Sequence, residues 1–448
     1  MAGFATTRPE RGVVTMKRSE RIEVFAHTAR TRSESFPTDT GVLGRLRAAG
    51  RAAFSAAELP NPKTESWKYS RIGPLLEQGL LDRAPAGAAA AAMPIAGLAA
   101  QSMVILDGIP QPLPAFTPGV SVTSFAALTD AEAVVVEAHL GRLAAAPEKP
   151  FVALNAALLE DGLVVRVAPG ADAALPIELV IAQSDSSTPR GVHPRVLILV
   201  GQGARATLIE RHLGTAMAFT NSVVEVVLED GAQLDHLRLA LDAGHGRWLS
   251  ALDVELGRNA RYNLWQAQLG AAFRRNEIRI GLAGEGAEVT VAGAGLTRNN
   301  DHLDNQLCLE HRAPRGTSKQ LFRNIAGETS RGILNGRIHI YRGAQKTDAQ
   351  LHTKSLLLSS RAEIDVKPEL EIYADDVKCA HGATLGQLDA NALFYLRSRG
   401  LDANTARSML SFAFLAEVVD GFPVDAVRAA LRPALAQAFA APAEEESP

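Results

Sequence analysis

Between residues 203 and 352 one short pattern recurs six times. A small turn residue comes first, then Ala or Thr, then alternating side chains. The copies are GARATLIE at Gly203, GAQLDHLRL at Gly231, NARYNLWQ at Asn259, GAEVTVAG at Gly286, GTSKQLFRN at Gly316 and GAQKTDAQLH at Gly343. Successive copies stand 28, 28, 27, 30 and 27 residues apart. Gly or Asn supplies the backbone freedom that a sharp corner needs. The alternation that follows gives a strand with one buried and one exposed face. One such unit cannot bury its inner face alone, but copies stacked at a fixed period can. The pattern therefore predicts a mainly β chain wound as a β-helix. An antiparallel sandwich with evenly spaced turns is the alternative, and near-equal steps over six copies favour the solenoid.

The flanks read differently. Residues 1–100 are expected to hold a leader, an N-terminal helical region and a linker. Residues 101–385 form the β-helix core, and 386–448 a C-terminal helical domain. The run GVLGRLRAAGRAAFSA (41–56) has mostly helical apolar spacing. In LPNPKTESWKYSRIGPLL (59–76), Trp67 and Tyr69 sit among Lys63, Glu65, Lys68 and Arg71, and the aromatics are expected to anchor a loop. The run APAGAAAAAMPIAGLAA (84–100) reads as a linker. After Thr384, Asp389 and Asp402 are N-cap candidates, with Gly400 and Gly421 as stops. Leu393, Phe394 and Leu396 make an apolar stripe. A third helix should kink or break near Pro433, and the last seven residues should fray. The helices are expected to cap the solenoid, because open strand ends expose pairing groups.

With 448 residues the chain suits two or three domains. Its net charge of −3 offers no global attraction for nucleic acid. Two cysteines make no disulfide framework and fit a reducing, cytosol-like compartment. No apolar run approaches the roughly 20 residues that span a bilayer. The Arg-rich start, RPERGVVTMKRSERIEVFAHTARTR, also carries Glu10, Glu20 and Glu23. A disordered leader, with Met16 as the real start, is favoured over an organellar transit peptide.

The common catalytic signatures are missing: no G-x-x-x-x-G-K-[ST], H-E-x-x-H, G-x-S-x-G or C-x-x-C occurs. VLILVGQGARA matches G-x-G-x-x-A, but a dinucleotide site needs a helix next, and a repeat strand follows instead. The histidines scattered through the solenoid read mostly as surface or turn residues. His302, between Asp301 and Asp304, reads as a solvated corner more than a metal site. Cys308 reads as a small buried hydrophobe. Cys379 and His381 stand apart: at i and i+2 on a strand they share one face. Thiolate and imidazole suit iron, iron–sulfur clusters or zinc. Two ligands leave a site incomplete, so by spacing alone the pair is a weak signal.

The stretch KPELEIYADDVKCAHGATLGQLDANALFYLRSRGL (367–401) closely resembles the C-terminal signature of the SufB/SufD family of iron–sulfur cluster assembly proteins. The resemblance runs back through residues 330–365 and forward through SMLSFAFLAEVV (408–419). ESWKYS, the chain length and the poor cysteine supply resemble the SufD branch more than the SufB branch. The family implies a right-handed parallel β-helix between helical ends. It implies a non-catalytic scaffold in a cytoplasmic complex of SufB, the ATPase SufC and this branch, with SufC on the C-terminal helices and SufB at the end of the β-helix. The family's KCSHG matches Lys378 to Gly382, with Ala380 in place of Ser. His381 is then the implied metal ligand and Cys379 its support or alternate, at a transient cluster facing SufB. No nucleotide is expected on this chain, and a homodimer of the isolated chain is left open. The rivals are a SufB-type primary scaffold and a carbohydrate-active β-helix enzyme using Asp301, Asp304 and Arg298.

Overall fold

The computed structural model describes residues 17–37, 41–61, 63–77, 79–82, 94–142, 149–184, 188–214, 217–241 and 245–440. The leader up to Met16, most of the Ala-rich linker and the acidic tail lie outside them. Among the described residues the strands form two ten-stranded sheets. From Arg205 onward, successive strands alternate between the sheets, one to each in every turn. Pairing is parallel and in register, as in Gln233↔Arg261, Arg261↔Glu288 and Glu288↔Thr317. The chain is a parallel β-solenoid.

Its corners show what the repeat encodes. Two residues before six successive strands of the first sheet, from Arg205–Leu213 to Asp348–Leu357, the backbone turns left-handed: Gly203, Gly231, Asn259, Gly286, Arg315 and Lys346 all have φ between 51° and 72°. Each of these N–H groups donates to a carbonyl of the next corner: Gly203 to Asp230 (2.9 Å), Gly231 to Arg258 (2.7 Å), Asn259 to Glu285 (2.9 Å), Gly286 to Pro314 (3.0 Å), Arg315 to Gln345 (2.9 Å) and Lys346 to Asp376 (2.6 Å). The fifth corner therefore falls one residue before Gly316, and the sixth three residues after Gly343. A left-handed residue with a side chain costs about 1–2 kcal/mol. The corner ladder offsets that cost where Arg and Lys replace Gly.

Inward residues of both sheets fill the lumen. Leu208, Leu264, Val291 and Leu351 of the first sheet meet Val226, Val254, Ile280 and Leu309 of the second. Several histidines expected at the surface are inside: His193, His212, His236 and His311 are buried. His212 and His236 both bond to Glu210, which also pairs with Arg238 at 2.9 Å.

Helices cover the outer faces. The N-terminal layer contains α1 (Arg18–Glu34), α2 (Val42–Ala56), α3 (Asp130–Glu137) and α4 (Pro150–Ala157). It packs on the second sheet, with Phe25, Phe54 and Leu154 clustered around Phe219, Leu249 and Phe273. The ESWKYS segment is pinned there. Trp67 is buried, stacks on Phe273 at 6.4 Å and carries the Arg275 guanidinium 4.2 Å over its ring.

The C-terminal helices are α5 (Ala390–Ser398), α6 (Ala403–Val419) and α7 (Asp425–Ala440). Asp389 and Asp402 cap α5 and α6 by accepting backbone N–H bonds. Helix α7 runs through Pro433 without a break. These helices do not cap the solenoid. Leu415, Val419, Leu431 and Leu435 lie against Ile209, Leu237, Ala267 and Ala294 on the outer flank of the first sheet. That middle stretch of sheet carries apolar residues outward as well as inward, so it offers the helices a surface that the terminal turn lacks. Helix α5 contributes no buried residue, and Phe394 of its apolar stripe is exposed.

Trp67→Ala removes the ring that joins the N-terminal segment to the second sheet. The expected loss is about 3–5 kcal/mol of unfolding free energy by chemical denaturation. A loss below about 1 kcal/mol, the ordinary effect of a surface change, would contradict this anchoring role.

Candidate functional site

The two ends of the solenoid differ. At the N-terminal end, short antiparallel strands close both sheets: Ile109–Pro110 lies on Gln101–Leu106, and Val120–Ser124 on Gly162–Val167. At the other end the sheets stop at Glu363–Ile372 and Lys378–Gly386, each paired on one side only. These strands are ten and nine residues long. Natural sheets usually blunt such edges with short strands, charges or covering elements. Here the Glu363–Ile372 edge carries five charged residues and Pro368, which has no N–H to offer, yet both strands are long and Ile372, Tyr373 and Leu385 are exposed.

Cys379 and His381 belong to this last turn. Register places Cys379 over Ala349 and His381 over Leu351, two lumen residues of the turn below. Both side-chain positions therefore continue inward columns and line the mouth of the lumen. Opposite them, Leu370 sits over Ile338. Cys379 is half-buried against the core, while His381 is exposed. Burial pushes the Cys379 thiol up, and the nearby Asp348 carboxylate pushes it further in the same direction. At neutral pH it is a protonated thiol, and a metal would have to displace that proton.

Among the described residues no group of three or more His, Cys, Asp or Glu could hold a metal ion. The mouth thus offers a soft and a borderline donor on one face of one strand. Further ligands would have to come from outside the described chain.

The remaining candidates lie elsewhere and serve other purposes. Asp304 is fully buried, accepts the Ser70 hydroxyl and pairs with Arg275. His302 bonds to Ser70 at 2.7 Å and stacks on Phe273 at 5.0 Å. Burial lowers its pKa to about 4. The corner read as solvated is in fact a buried knot that fastens ESWKYS to the second sheet. Arg298 pairs with Glu328 at 2.6 Å and donates to the Ala438 carbonyl. Asp301 accepts from the Arg298 backbone N–H. Asp304 is thus engaged with Ser70 and Arg275, and Arg298 with Glu328 and α7. Cys308 faces outward from the second sheet and accepts from Arg337 Nε at 3.4 Å. It is therefore not simply a small apolar filler. The G-x-G-x-x-A run lies between strands Arg195–Val200 and Arg205–Leu213, where no helix start faces the glycines.

Two features of this end were not foreseen. One is the open edge itself. The other is an aromatic rim beside it, where His339 stacks on Tyr341 at 4.2 Å, lies near Tyr373 and bonds to Glu371 at 3.0 Å. The alternation in NGRIHIY and in ELEIYA signals that these residues point outward. It does not signal that nothing covers them.

Comparison with known proteins gives a consistent pattern. Residues 180–414 match the family described as SUF system FeS cluster assembly, SufBD core domain. Residues 108–179 match the SufBD protein N-terminal region. The chain is 29% identical over 421 residues to an iron–sulfur cluster assembly SufBD family protein of Synechocystis, covering 88% of this chain and 91% of that one. It is 30% identical over 373 residues to the iron–sulfur cluster assembly protein SufD of Escherichia coli, covering 81% and 85%. It is 34% identical over 245 residues to a chloroplastic protein of Arabidopsis thaliana, covering 53% and 50%.

Burial of Cys379 has a direct chemical readout. In a Cys308→Ala background, alkylation of Cys379 by iodoacetamide is expected to be slow at pH 7 and to rise with a midpoint above the ordinary thiol range of about 8.5. A midpoint at or below that range would contradict the half-buried placement.

Proposed function

Because this chain belongs to the SufBD family of iron–sulfur cluster assembly proteins, we propose that it is a non-catalytic scaffold subunit that pairs with a SufB-type protein through the open end of its solenoid. The observation that carries this reading is the unsealed last turn, with Cys379 and His381 on its inward face. A second solenoid docked there would continue both sheets. It would satisfy the unpaired backbone groups and cover Ile372, Tyr373 and Leu385. It would also bring ligands to a mouth that supplies only two.

The cluster is cargo in this reading. His381 is the exposed donor and the better placed to reach across a junction. Cys379 is recessed, protonated and held by the core, which suits a supporting or alternate ligand. Substrate iron and sulfide would meet at the junction, not inside one subunit.

The helical region completes the proposal. Helix α5 buries none of its residues, and Phe394 and Tyr395 are exposed on it. We assign this face to a SufC-type ATPase. The chain carries no nucleotide loop, so ATP would act from that partner. Strain passed through α5 and α6 to the first sheet would reach the last strand directly, because α5 follows Lys378–Gly386 in the chain. No helix of the described residues is long and apolar enough to cross a membrane. We place the work in a reducing compartment of the bacterial cytoplasmic kind, where free cysteines persist.

His381→Ala tests the ligand. Cluster assembly by the purified complex is expected to fall by about 10-fold or more, since even indirect partners of metal ligands are worth that much. The complex itself should still assemble. A normal rate from an intact complex would remove His381 from the site.

A further inference from the structure

A small cleft lies between the first turn of α1 and the ESWKYS segment, away from the solenoid mouth. Its volume is about 110 Å³. That is room for about four water molecules at their share of the liquid, and well below the roughly 300–1,000 Å³ of an ordinary small-molecule pocket. Arg18, Lys68 and Arg71 line it, and no carboxylate is among its lining residues.

These three cations form no ion pair among the described residues. The carboxylates closest to them in the chain or the fold are committed elsewhere. Glu65 pairs with Lys367 at 2.9 Å, Asp304 with Arg275, and Glu20 accepts the Lys17 backbone N–H at 2.9 Å. Lys68 attracts Glu65 only at longer range and lies 5.5 Å from the Tyr69 ring. The residues before Lys17 bring Arg8, Arg11 and a single Glu10, so the leader does not supply the missing negative charge.

The inner wall is fixed and apolar, with Trp67 and Ile72 buried. Ser70 donates its one hydroxyl hydrogen to Asp304 and bonds to His302 at 2.7 Å, so it fastens the cleft to the second sheet and has no hydrogen left for a ligand. Asn61 adds a neutral donor. Its Oδ1 accepts the Lys63 N–H at 2.8 Å, while its Nδ2 donates to no described group. Cations beside a low-dielectric wall focus their field and concentrate anions. Arg also presents a fork of N–H donors that matches the oxygens of a phosphoryl group. Donors arriving from two separate segments suit a tetrahedral ion with oxygens on several sides better than a planar carboxylate.

We propose that this cleft binds one tetrahedral oxyanion of the phosphate class, held by Arg18, Lys68, Arg71 and the Asn61 amide. The ion is either free or the phosphoryl end of a larger molecule whose remainder stays outside, since the cleft admits nothing bigger. It ties the start of α1 to the segment that Trp67 and Ser70 anchor. The site does not rest on the cluster reading.

Titration of the full chain with inorganic phosphate at constant ionic strength, read by broadening of the phosphorus NMR signal, tests this. Saturable binding is expected, weakened about 10-fold or more in Arg71→Gln, the worth of one charge-assisted hydrogen bond. Arg71 is exposed and bonds to no described group, so this variant should keep the wild-type unfolding midpoint in chloride buffer. Lys63→Gln, which changes a lysine of the same loop outside the cleft, should bind as the wild type does. Absence of saturable binding overturns the proposal. An equal loss in both variants also overturns it, because a diffuse basic surface then accounts for the binding. Phenyl phosphate separates the two sources: binding as tight as phosphate supports a phosphoryl group on a larger molecule, and weaker binding supports the free ion.

Discussion

Each turn of this solenoid is buried by the turn that follows, and the last turn has no follower. Inward residues such as Leu264, Val291 and Leu351 stack in register on their counterparts above and below. The backbone of each strand pairs on both sides. Even the corners are tied, each left-handed N–H to the next corner's carbonyl. Such stacking is cooperative along one axis, and it transfers every unmet demand to the ends. The N-terminal end meets that demand with short antiparallel strands, one of them containing Pro110. The C-terminal end keeps two long strands paired on one side only, blunted by the charges and Pro368 of Glu363–Ile372 but covered by no further strand among the described residues.

The helices sharpen this asymmetry. They pack where the outer faces of the sheets are apolar: α1, α2 and α4 beside the second sheet, and α6 and α7 beside the middle of the first. Covering two flanks buries much apolar surface, at roughly 25 cal/mol per Å². It does nothing for the edge amides and carbonyls of Glu363–Ile372 and Lys378–Gly386. Cys379 and His381 are placed by the same geometry, since the inward columns of the solenoid emerge at its mouth. Stability and the candidate site thus share one cause.

Much of this is legible in the sequence, and the failures have physical reasons. The repeat reveals the solenoid because a left-handed corner selects Gly or Asn in four copies. It misplaces the last two corners because Arg315 and Lys346 adopt that conformation against their preference, held by the ladder. Cys379 and His381 share a face by strand periodicity alone. That the face is the lumen needs the register with Ala349 and Leu351. His212 and His236 looked like surface residues because their partner, Glu210, belongs to their own strand or to the neighbouring turn, and burial of such a cluster is a property of the stack. The C-terminal helices announce their apolar stripes and caps clearly. Nothing in an amphipathic pattern says which surface it will cover, so a cap and a flank read alike. Asp304 looked solvated for a related reason: its partners, Ser70 and Arg275, are remote in sequence.

The central claim is that the open end is an interface that a second solenoid completes. Hydrogen–deuterium exchange on the isolated chain, and on the chain within the complex recovered from its native extract, tests it most directly. Amides of Glu363–Ile372 and Lys378–Gly386 should exchange rapidly in the isolated chain and slow sharply in the complex. Slowing confined to the helices, with both terminal strands unchanged, would contradict the account.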